Sequence, residues 1–231
     1  MASAGCAIGA DVPASRPPLA QAAGMPTWSP SLELPSLEAL PSRWARPFAE
    51  RIDLIRRGGR LTASDCKELL AARAGGASPL GDRALGIERD EGAKCIALEQ
   101  LSRVRPARSS HLAGFALPEA ALADLPPTFA TPFARQDDED ARAAEAQGRT
   151  LADVRPGIVA RSQDGLLVLR GDTWQTQMEV LARGDFDGGG VEELLIAAHD
   201  TAIEGTYDST RLLLVTRGPE GRRLRTLKRL Q

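Results

Sequence analysis

The chain has 231 residues, 42% of them hydrophobic and only 4% aromatic, with 29 basic and 31 acidic side chains and a formal charge of −2. That length and apolar content suit one large or two small domains with an aliphatic core. The charge balance shows none of the basic excess typical of nucleic-acid binders, and no apolar run reaches the ~18 residues needed to cross a bilayer.

Residues 1–30 are rich in proline, alanine, glycine and serine, and they read as a disordered tether. The stretch lacks the basic and apolar segments of a full signal peptide. Its "ASAGC" nevertheless resembles the tail of a bacterial lipobox, in which small residues precede a cysteine that is lipidated after cleavage. The resemblance implies an exported protein attached to a membrane through Cys6. The chain has three cysteines. With Cys6 lipidated, Cys66 and Cys95 are left to pair across a loop of about 30 residues, which would constrain the unfolded chain by roughly 3 kcal/mol. The alternative is a cytoplasmic protein with three ordinary thiols, two of them buried on helices.

Residues 31–135 read as mainly helical. Trp44, Phe48, Ile52 and Ile55 follow one another at spacings of four, four and three, which describes one helical face. Pro47 suits its first turn. "GRLTASDCKELLAARAGG" reads as a second helix, capped by a Thr62–Asp65 pattern and ended by Gly75 and Gly76. "EGAKCIALEQLSRVRPA" reads as a third, with Cys95, Leu98, Leu101 and Val104 on one face and Pro106 as its stop. Residues 136–154 form a charged helix or linker, with the helix expected at about 138–147.

From residue 155 to 231 the period changes to that of strands. "GIVARSQDGLLVLRG" is a hairpin about an Asp164–Gly165 turn. "WQTQMEVLAR", "ELLIAAHD", "STRLLLVTR" and "RRLRTLKRL" are four further strands, separated by turn residues. The basic residues of the last segment read as a solvated hairpin. The expected fold class is α+β: a helical N-terminal half followed by an antiparallel β-meander.

The segment "GDFDGGGVEELLI", residues 184–196, carries the chemistry. Asp185, Asp187, Gly189, Val191 and Glu193 occupy alternate positions of a glycine-rich loop. Two carboxylates, backbone carbonyls and a third carboxylate are hard oxygen ligands of the kind calcium takes. It is not an EF-hand, because the twelfth position, counted from Asp185, is Ile196 instead of glutamate. Strand, loop and strand in this order resemble the calcium loops of FG-GAP and VCBS repeats, the blades of integrin-type propellers. Gly184, Asp185, Phe186, Asp187, Gly190, Glu193, Leu194 and Leu195 carry the resemblance. Gly189 departs from it by replacing an acidic or amide ligand, and Glu193 by replacing an aspartate. The resemblance implies a sheet like one propeller blade and a structural Ca2+.

His111 beside Ser109 and Ser110, and His199 beside Asp200, are the only histidine-centred candidates for catalysis. Neither neighbourhood forms a nucleophile elbow, and adjacent strand residues point to opposite faces. The expectation is therefore a non-enzymatic bacterial cell-envelope lipoprotein, periplasmic or held at the outer membrane, that binds or scaffolds. Its partner is an unidentified protein or envelope component, with no nucleic acid. Its only membrane contact is through Cys6. The alternatives are a metal-free soluble interaction module, cytoplasmic or periplasmic, and an uncharacterised hydrolase.

Overall fold

The computed structural model describes residues 25–219 and 221–230. In chain order these form β1 (Thr27–Trp28), α1 (Leu40–Trp44), β2 (Ile52–Arg56), β3 (Gly59–Ala63), α2 (Cys66–Ala74), β4 (Ser78–Pro79) and α3 (Asp82–Leu101). Then follow α4 (Arg135–Ala146), α5 (Leu151–Val154), β5 (Val159–Gln163), β6 (Leu166–Arg170) and β7 (Trp174–Gly184). The chain closes with β8 (Glu193–Ala202), β9 (Asp208–Arg217) and β10 (Leu224–Arg229).

Strands β5 to β10 make a continuous antiparallel meander, each pairing with its sequence neighbour. Asp164 and Gly165 both adopt positive φ, 51° and 80°, as a two-residue hairpin turn requires. β1 joins the same sheet by pairing with β7 at Arg183 and Ala182, beyond the reach of β6, which pairs as far as Met178. A register shift between Val180 and Ala182 lets Leu181 and Ala182 both enter the same apolar cluster.

The two faces of this sheet carry different layers. On one, Leu195, Ala197 and Leu212 pack with α2, α3 and the small sheet β3-β2-β4. On the other, Leu194, Ile196, Ala198, Leu213 and Val215 pack with residues 112–158, which run through short 3-10 turns, α4 and α5. β8 is therefore covered on both sides, and "LLIAA" reads as an unbroken apolar run.

The structure departs from the expected fold in two respects. The N-terminal half is not helical: the fold is mainly antiparallel sheet, and β2, β3 and β4 form a second sheet inside that half. Ile52 and Leu54 point inward with no exposure while Ile55 is 43% exposed, the alternation of a strand. The paired glycines Gly58 and Gly59, at φ 107° and 139°, turn the chain into β3. Thr62 accordingly lies in β3, and Asp65 alone caps α2, accepting from the Glu68 amide at 2.8 Å. Nor does the sheet resemble one blade. A blade has four strands, whereas this meander has six and is covered on both faces.

Cys66, the first residue of α2, and Cys95, within α3, form a buried disulfide with Cα atoms 5.1 Å apart. Cys6 lies outside the described residues. On the opposite face, Asp200 of β8 and Arg211 of β9 form a fully buried ion pair. Asp200 Oδ1 accepts from Arg211 Nη2 at 2.9 Å, from Thr176 at 2.6 Å and from Thr131 at 2.9 Å, and Oδ2 accepts from Arg211 Nε. Arg211 also donates to the carbonyls of Thr128 (2.8 Å) and Phe129 (3.3 Å), fastening the covering segment to the sheet.

Cys66 and Cys95 are 29 residues apart, and closing such a loop constrains the unfolded chain by about 3–4 kcal/mol. Reduction, or Cys95→Ser, is expected to lower the urea midpoint correspondingly, with a mobility shift on non-reducing gels that the variant lacks. Asp200→Ala leaves Arg211 charged and buried, which costs about 3–5 kcal/mol. The double variant Asp200→Leu/Arg211→Leu is expected to lose less than Asp200→Ala in the same unfolding assay.

Candidate metal centre

The loop joining β7 to β8 is built by its own carboxylates. Asp185, 4% exposed, accepts from the amides of Gly188 (Oδ1, 2.7 Å) and Gly190 (Oδ2, 3.0 Å). Glu193, 2% exposed, turns Oε2 back to the amides of Phe186 (2.8 Å) and Asp187 (3.2 Å). Asp187, which is exposed, accepts from Gly189 at 2.6 Å. Gly188 and Gly190 hold φ of 82° and 81°, the left-handed conformation that lets the chain curl around these side chains. Phe186 packs its ring against the apolar cluster that α3 covers, which anchors the loop from below.

One oxygen from each of Asp185, Asp187 and Glu193 lies within 4.8 Å of the others. The structure thus brings together the three acidic members of the set read from the sequence. Gly189 turns its carbonyl to the Arg108 guanidinium at 3.4 Å, and Val191 is engaged in a bridge with Ser109.

A second segment grips the loop, and the sequence offered no sign of it. Arg105 and Asp185 exchange backbone hydrogen bonds at 2.9 and 3.0 Å. Arg108 and Ser109 donate to the Gly190 carbonyl at 2.8 and 3.1 Å, and Glu192 donates to the Ser109 carbonyl at 2.8 Å. The Arg108 guanidinium sits where a Cβ on residue 190 would project, and the φ of 81° there favours glycine. Although Arg105 and Arg108 approach, Asp185, Asp187 and Glu193 form no ion pair among the described residues.

The electrostatic consequence falls on Glu193. Burial pushes its carboxyl from the ordinary 4.5 up to about 7. The neighbouring Asp187 carboxylate adds to the rise, and the Phe186 amide only partly offsets it.

The histidine candidates do not assemble. Asp200 points into the buried ion pair, while His199 points to the opposite face, with Nε2 3.6 Å from Asp208 and Nδ1 3.3 Å from the Thr210 hydroxyl. Arg89 of α3 holds the other side of Asp208 at 2.8 Å. Ser110 bonds to Glu192. Compared with family models, curated proteins and solved structures, the chain matches none. The likeness to FG-GAP loops rests on the loop residues alone.

The raised Glu193 pKa fixes the sign of a pH effect. Between about 4.5 and 7 the unfolded chain is ionised at this position while the folded chain holds its proton. Stability from this group is therefore full below the unfolded pKa and is lost as pH rises through about 7. With cations removed, the wild type is expected to lose on the order of 2–3 kcal/mol across that window. Glu193→Gln, which cannot ionise, removes that part of the pH dependence in urea titrations at pH 5 and pH 8.

Proposed function

We propose that this protein is an exported, non-enzymatic binding or scaffolding component of a bacterial cell envelope, with a structural calcium ion in the 185–193 loop and a lipid tether at Cys6. The observation that carries the reading is the convergence of Asp185, Asp187 and Glu193, two of them buried, with no ion-pair partner among the described residues. A divalent cation there would take one oxygen from each and complete its shell with carbonyls and water. Calcium tolerates such irregular geometry better than magnesium. The same ion would displace the Glu193 proton and offset the cost of holding its charge buried beside Asp187. The disulfide suits an oxidising compartment.

One observation favours a metal-free second reading. The loop amides already donate to all three carboxylates. Each carboxylate oxygen has two lone pairs, however, so amide bonding leaves room for a ligand bond.

Calcium at about 100 times its dissociation constant stabilises a folded protein by roughly 2.7 kcal/mol, which should raise the melting midpoint by roughly 5–10 °C for a chain of this size. The shift is expected in wild type, absent in Asp185→Ala, and larger at pH 8 than at pH 6 because protons compete at Glu193. An identical midpoint in calcium and in chelator would leave the metal-free reading standing.

A further inference from the structure

The geometry points to a second contact surface: the tip of the β2–β3 hairpin binds the anionic phospholipid surface of a bilayer. This inference depends neither on a cation in the loop nor on a lipid at Cys6. The hairpin turns at Gly58 and Gly59, and residues 55–60 are all exposed. Arg56, Arg57 and Arg60 cluster around that turn, and none of them forms an ion pair among the described residues. Nearby, Arg46 meets Glu33, Arg73 meets Glu88 and Arg83 meets Glu50, and Arg51 stands at the opposite end of β2 from the turn. Three arginines within five residues concentrate positive charge at the tip of a chain whose net charge is −2.

An apolar side chain sits among these cations. Ile55, 43% exposed, lies directly across from Arg60 on one side and Ser78 on the other. Its inward neighbours Ile52 and Leu54 have no exposure and fix the hairpin on the body of the protein. The Arg56 guanidinium lies beside Gly75 at the end of α2. Guanidinium groups bind phosphate oxygens in pairs of parallel hydrogen bonds, and one isoleucine beside them can enter the headgroup layer. The hairpin offers no aromatic ring on which a base could stack, which disfavours single-stranded nucleic acid.

The test is flotation of the full chain, carrying Cys6→Ser so that no acyl chain contributes, with vesicles of phosphatidylglycerol and phosphatidylcholine in equal parts. The wild-type hairpin is expected to float with these vesicles at low salt, to release at high salt, and to ignore pure phosphatidylcholine. Each arginine near an anionic surface contributes about 1 kcal/mol. Replacing three by glutamine in Arg56→Gln/Arg57→Gln/Arg60→Gln should therefore weaken partitioning by roughly 100-fold. The corresponding triple lysine variant keeps the charge and should retain most of the binding, which separates charge from any effect on folding. Equal flotation of the glutamine variant, failure of the wild type to float, or capture of the wild type by polyglutamate without vesicle binding would each overturn the proposal.

Discussion

Strand β8 is covered on both faces over most of its length, so its buried polar groups must find their partners within the chain. It carries two carboxylates that are almost fully buried, Glu193 at its start and Asp200 near its end. They meet that constraint in different ways. Asp200 has the Arg211 guanidinium and two threonine hydroxyls, so its charge is paired and its lone pairs are used. Glu193 has backbone amides and, close by, two more carboxylates. The first arrangement is complete without any ligand. The second is short of positive charge, and that imbalance is the physical basis of the calcium reading.

The same stretch of chain is secured at both places. After α3 the backbone crosses from one face of the sheet to the other. Arg105 to Ser109 clasp the loop at the start of β8, and Thr128, Phe129 and Thr131 are then pinned by the buried pair near its end. Further along, Glu145 of α4 accepts from the Thr226 amide at 2.6 Å and from the Thr128 hydroxyl at 2.9 Å, closing the edge of β10. The loop therefore lies at a seam between layers. A cation bound there would stiffen the crossing segment as well as the turn itself, a role suited to a scaffold.

Much of the sheet was legible in sequence because its signals are local. The Asp164–Gly165 turn and the alternation of apolar runs and turn residues mark all six strands of the meander. The acidic loop and the Cys66–Cys95 pair could be read from spacing and count. The N-terminal sheet is hidden in sequence because Trp44, Phe48, Ile52 and Ile55 mimic a helical period, although Gly58 and Gly59 mark the turn. The Asp200–Arg211 pair is hidden for another reason. Both residues continue the buried parity of their strands, but their meeting depends on the register of β8 against β9, which no single strand reveals. The clasp by residues 105–109 is equally non-local. The likeness to a propeller blade failed because it came from the loop, and the loop says little about how many strands surround it.

If a cation occupies the loop, the loop and its clasp respond to it as one unit. Hydrogen exchange followed by mass spectrometry, with calcium and with chelator, measures this directly. Slower exchange in calcium is expected for the amides of 185–193 and for those of 105–109 together, with the β2–β3 hairpin unchanged. Exchange that is the same in both conditions across the loop and the clasp would contradict it, and the carboxylates of Asp185, Asp187 and Glu193 would then serve only to shape a turn.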